Sequence, residues 1–199
     1  MPKQSPDISF EITAGSCIIA AFMLLLLPIQ WAAAAAAAAC FHEVCHGIAI
    51  ILCKGHIHRI SIGSRGAVIE AEGLTLDKEL VCALAGPLGG LLLLLPMRWI
   101  PRIAVCALVH SVFNLLPVYP LDGGRALRCC AALLFPRHTD KICNAVEVFC
   151  LAAVLFLGIY GTFWLGLGPG PVVFAAALWS KRKNTLQTRC ALSTIVTAY

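Results

Sequence analysis

Phe41-His42-Glu43-Val44-Cys45-His46-Gly47 is a His-Glu-x-x-His pattern set in a run that is otherwise nearly all apolar. On a helix, residues four apart share a face, so His42 and His46 can grip one cation together. Glu43 lies beside them and can reach water at that cation, as the general base of a metallohydrolase does. With six His and six Glu in the chain, chance would give the pattern in roughly 0.5% of such sequences. Ionisable groups at membrane depth cost roughly 2.5–3.5 kcal/mol each, so they mark function by default.

The surroundings make this a membrane problem. The chain has 199 residues, 60% hydrophobic and 13% charged, with a mean hydropathy of +0.87. A soluble domain of this length is far more polar. We read an all-α polytopic membrane protein, one domain over residues 1–199, with about six transmembrane helices and a small membrane-associated β-hairpin. The spans fall at about 12–30, 31–53, 79–95, 103–116, 143–164 and 171–180. A cleaved leader over residues 1–39 fits less well. Its first residues carry Asp7 and Glu11 against Lys3, and cleavage would cut the helix that bears the motif. The alanines from Ala32 to Ala39 instead allow a neighbouring helix to approach closely.

Between the second and third spans the pattern turns β-like. His56 to Ile62 and Ala67 to Glu72, joined by Gly63-Ser64-Arg65-Gly66, read as a hairpin over 56–72. Ala85-Gly86-Pro87-Leu88-Gly89-Gly90 in the third span is expected to break or kink its helix, which lipid tolerates only where backbone faces protein or a cavity. The fourth span runs into Asn114-Leu115-Leu116-Pro117-Val118-Tyr119-Pro120-Leu121-Asp122-Gly123-Gly124-Arg125, expected as an irregular loop, with a short helix over 126–135. Six spans with the N-terminus inside put every Lys and Arg except Arg98 and Arg102 on the inner side. The net charge of +5 is therefore a topology signal, placing both termini in the cytoplasm, and it does not indicate nucleic acid. The eleven cysteines are scattered, with no Cys-x-x-Cys pair, and carry no disulfide framework.

Catalytic zinc takes three protein ligands and leaves one position for water. The third ligand must come from elsewhere, since Ala49 and Leu52 stand where a metzincin would carry Gly and His. Glu70 and Glu72 lie in the hairpin and point toward a wet face. His110 reads as a hydrogen-bonded bundle histidine, one turn before Asn114. Asp122 is the best candidate: it follows the fourth span at the inner side, as His46 does in the second, in a segment whose prolines and glycines fix its aim.

Taken in order, His42-Glu43-x-x-His46, Ala85-Gly86-Pro87 and Asn114-x-x-Pro117-x-x-Pro120-Leu121-Asp122-Gly123-Gly124-Arg125 resemble the site-2 protease family of intramembrane zinc metalloproteases. The resemblance covers about residues 12–135. It is nearest the branch containing stage IV sporulation protein FB, with no PDZ or CBS domain expected. It implies that His42, His46 and Asp122 bind one Zn2+. It implies that Glu43 is the general base and then acid, and that Asn114 holds substrate or the oxyanion. It further implies that the hairpin pairs with an unwound membrane-protein substrate, such as a pro-sigma or anti-sigma factor, and that a membrane inhibitor or regulator is a partner. The family's usual Gly between the histidines is Cys45 here. We read that as a small-for-small change, the alternative being a thiol that perturbs the metal. Competing readings are a membrane metal transporter and an inactive, protease-like binding scaffold.

Overall fold

A computed structural model describes residues 9–12, 21, 23–63, 66–164, 166, 168–170, 172–173 and 175–180. The chain divides into two compact units, residues 1–115 and 116–199.

The first unit begins with a strand, β1 (Ser9–Ile12), where the sequence reading began a span at residue 12. Its partner explains the difference. β1 lies parallel to β2 (His56–Gly63), in register from Ser9 opposite Arg59 to Ile12 opposite Ile62. Glu11 pairs with the Arg59 guanidinium across that edge. Residues 13–20 of the expected first span lie outside the described residues, and 21 and 23–26 are helical. A new helix, α1 (Ile29–Leu52), starts after Pro28.

The end of α1 is built by local backbone chemistry. The N–H of Lys54 donates to the carbonyl of Ile51, and that of Gly55 to Ile50, the two bonds of a Schellman cap. Lys54 adopts φ 61° there, a position usually given to glycine. The turn feeds β2, which pairs antiparallel with β3 (Gly66–Glu72) from His56 opposite Glu72 to Gly63 opposite Gly66, with an irregularity between Ile57 and Arg59. The hairpin is thus present as the middle and outer strands of a three-stranded sheet. Ile57, Ile69, Ala71 and Leu74 pack on Ala49, Ile50 and Cys82, which seats the sheet against the end of α1 and the helix that follows.

That helix, α2 (Leu76–Leu92), opens with Asp77 and Glu79 in its first turn, where carboxylates favour the positive end of the helix. It continues unbroken through Pro87. The break expected at Ala85 to Gly90 does not occur, because the small residues there serve side-to-side approach. α1 packs against both α2 and α3 (Pro101–Asn114), and those two pack on each other.

The second unit holds α4 (Asp122–Leu134) and α5 (Thr139–Phe163), which pack together. The Arg128 guanidinium reaches the Asp140 carboxylate at 3.1 Å, and Leu151, Cys129, Ala131 and Cys143 are buried. α4 starts four residues earlier than expected, so Asp122 to Arg125 are its first turn. The carbonyl of Leu121 accepts the Arg125 N–H at 3.0 Å, and the acid at the first helical position suits the dipole. Residues 172–173 and 175–180 of the expected last span are helical; the basic tail lies outside the described residues.

Among the described residues, two helices, α1 and α5, are long and apolar enough to cross a membrane. α2 and α3 form where spans were expected but have 17 and 14 residues, short of the ~20 that an unaided crossing needs.

Candidate metal centre

His42 and His46 lie one turn apart on α1 and, among the described residues of the first unit, are two of the few buried polar side chains, at 2% and 7% exposure. Their rings meet edge to face, with centroids 4.7 Å apart. The Nε2 atoms converge to 3.1 Å. Two Zn–N bonds of about 2.0–2.1 Å at a tetrahedral angle would separate the nitrogens by roughly 3.3–3.4 Å, so the pair fits one ion with little adjustment.

The tautomer of His46 follows from its other nitrogen. Nδ1 lies 2.7 Å from the carbonyl oxygen of Cys82 on α2. A carbonyl can only accept, so Nδ1 carries the proton and Nε2 presents its lone pair toward His42. A backbone carbonyl on the far nitrogen is the usual support of a metal-bound imidazole.

The glycines of α2 make room for this. A Cβ on Gly86 would lie 2.6 Å from both Cδ2 and Cε1 of His46, and closer still to Nε2. Only a bare Cα lets α2 bring the Cys82 carbonyl so near the ring. One turn on, a Cβ on Gly89 would lie 2.8 Å from the Cβ of Cys45 and closer to its Sγ. Gly90 makes the same kind of space for Ser111 of α3. Cys45 therefore occupies volume that Gly89 leaves open, which is the physical basis for a thiol between the two histidines.

This gives a direct expectation. Gly89→Ala should destabilise the protein by about 1–3 kcal/mol through overpacking. Cys45→Gly should cost about 1 kcal/mol as a glycine inside a helix. The double variant should recover part of the loss, giving a coupling of about 0.5–3 kcal/mol in thermal unfolding of the detergent-solubilised protein. Strict additivity would show that the two residues do not share one space.

The remaining expected residues are placed as follows. Glu43 is half-buried beside the pair, one residue after His42 on α1. Asn114 ends α3, and its amide nitrogen donates to the carbonyl of His110 at 3.1 Å; the second N–H of that group remains for another acceptor. Glu72 is on the sheet, with its carboxylate 3.2 Å from Nε2 of His58, so it serves the hairpin and not the histidine pair. Asp122 is buried at 9% exposure in the second unit, as the first residue of α4.

His110 belongs to the site more closely than the sequence reading allowed. Its ring stands perpendicular to that of His42, with centroids 4.7 Å apart. The signal was the His110–Asn114 spacing, which sets both on one face of α3; nothing in the sequence pointed that face at His42.

No protein-family model matches the sequence, and no curated protein matches it. A solved structure does. The site-2 protease from Methanocaldococcus jannaschii superposes with a TM-score of 0.62 at 18% identity, over 92% of this chain and 93% of that one. The two chains share a fold. The motifs that carried the resemblance thus lie in a chain with this architecture.

Proposed function

We propose that this chain is an intramembrane zinc metalloprotease that cleaves membrane-tethered regulatory proteins in or near their transmembrane segment. The observation that carries the reading is the buried histidine pair, with Nε2 atoms 3.1 Å apart and the His46 tautomer set by the Cys82 carbonyl. Two imidazoles alone leave a zinc site incomplete. Asp122 is proposed as the third ligand. Its burial and its place in the first turn of α4, where the dipole favours the ionised form, support that role.

Bound zinc would supply Lewis-acid chemistry, polarising the scissile carbonyl and acidifying water. The chain's own groups do the rest. The Glu43 carboxylate takes a proton as water adds to the carbonyl carbon, and returns it to the amine nitrogen as the C–N bond breaks. Asn114 has an amide N–H to offer the oxygen that gains charge. The sheet offers an extended edge on which an unwound substrate segment can pair, which exposes a peptide bond that a helix would shield.

The proposal extends to topology and partners. Six spans with both termini cytoplasmic follow the distribution of Lys and Arg in the sequence, in a multi-pass protein of the cell membrane. Substrates of the pro-sigma or anti-sigma class, a role in sporulation and a membrane-bound inhibitor come from the motif resemblance alone. Co-expression with membrane-tethered transcription regulators is the direct test. The expected result is a shortened regulator released from the membrane, and intact regulators across the panel would overturn the reading.

A further inference from the structure

The segment that leads into Asp122 has few backbone donors, and their partners can be traced. Pro117 and Pro120 have no N–H. Val118 N–H donates to the carbonyl of Leu116 at 2.7 Å, and Leu121 N–H to that of Val118 at 2.9 Å. The N–H of Tyr119 donates to Oε1 of Glu147 on α5, at 3.3 Å.

Glu147 is an unexpected residue to find there. It is the sole Asp, Glu, Lys or Arg between Lys141 and Lys181, in a helix long and apolar enough to cross a membrane. A carboxylate in such a helix is costly and marks a function. The peptide it holds is also packed closely against α4. A Cβ on Gly124 would lie 2.7 Å from the carbonyl oxygen of Val118 and closer to the Tyr119 nitrogen. The first turn of α4 therefore rests directly on the Val118–Tyr119 peptide, and Asp122 lies between these two anchor points in the chain.

We propose that Glu147 is a positioning residue: by holding the Tyr119 N–H it fixes residues 117–121 and so aims the Asp122 carboxylate. This rests on the metal-centre reading, with Asp122 as a ligand, and extends it to a residue outside the proposed ligand set. The contact needs an oxygen acceptor and not a charge, so Glu147→Gln should preserve it while Glu147→Ala removes it.

The test uses the full chain in detergent with two readouts. Hydrogen exchange of peptides covering 117–124 should speed up in Glu147→Ala and match wild type in Glu147→Gln. Titration with Co2+, followed by its visible absorption, should show about 10–100-fold weaker binding in Glu147→Ala, as for loss of a supporting contact behind a metal ligand. Glu147→Gln should stay within about threefold of wild type on that titration. Unchanged exchange in Glu147→Ala, or a Gln variant as impaired as the Ala variant, would overturn the proposal. Co2+ binding that is equal in wild type and Asp122→Ala would strike the metal-centre reading instead, and the exchange readout would still decide whether Glu147 holds the segment.

Discussion

Glu43→Gln is expected to leave a folded protein that binds zinc as wild type does and cleaves its substrate about 10²–10⁴-fold more slowly, the span usual for loss of a general acid–base group. Glu43 follows His42 directly on α1, so it sits beside the histidine pair, where it is proposed to act on water and not to hold the ion. Glutamine keeps the shape, the half-buried packing and the hydrogen-bonding oxygen. It cannot take a proton from water at neutral pH, so the variant isolates that one step. The check is a side-by-side assay of zinc content and substrate processing in co-expressing cells. Retained zinc with processing lost supports the assignment. Retained zinc with processing unchanged points to a metal-binding protein of another kind, such as the transporter or the scaffold. Zinc lost together with processing would place Glu43 in the ligand set.

Gly86→Ala carries the second large effect, and it acts through a residue with no chemistry of its own. The added methyl would lie 2.6 Å from two carbons of the His46 ring, well inside van der Waals contact. Either the ring turns or α2 withdraws. Both responses break the 2.7 Å bond from His46 Nδ1–H to the Cys82 carbonyl, which sets the tautomer. The expected cost is about 1–3 kcal/mol in stability from overpacking. Metal affinity should fall about 10–100-fold from the lost supporting contact. Thermal unfolding and a zinc competition titration on the same sample measure both. Wild-type metal affinity in Gly86→Ala would mean that α2 does not orient the ligand.

Several parts of this architecture are legible in the sequence because they depend on local pattern. The i, i+4 spacing of His42 and His46 fixes their shared face, and the alternation over His56 to Glu72 fixes the hairpin. What was not legible depends on distant partners. Ser9 to Ile12 forms a strand because β2, whose paired residues lie fifty positions on, supplies an edge for it. Gly86, Pro87 and Gly89 look like helix breakers by local propensity, yet α2 runs through them because His46 and Cys45 of another helix need the space. Asp122 was expected in a loop because prolines precede it and glycines follow. It opens α4 instead, with Gly124 pressed on the Val118–Tyr119 peptide. His110 could be read as a bundle histidine, but only packing of α3 on α1 brings its ring to His42.

The proposed cleavage depends on one divalent ion held by His42, His46 and Asp122. The most direct measurement is the zinc content of protein purified in mild detergent without chelators, for wild type, His46→Ala and Asp122→Ala. The expected result is about one zinc per chain in wild type and little or none in either variant. Wild-type protein without zinc, or Asp122→Ala protein that keeps it, would contradict the account.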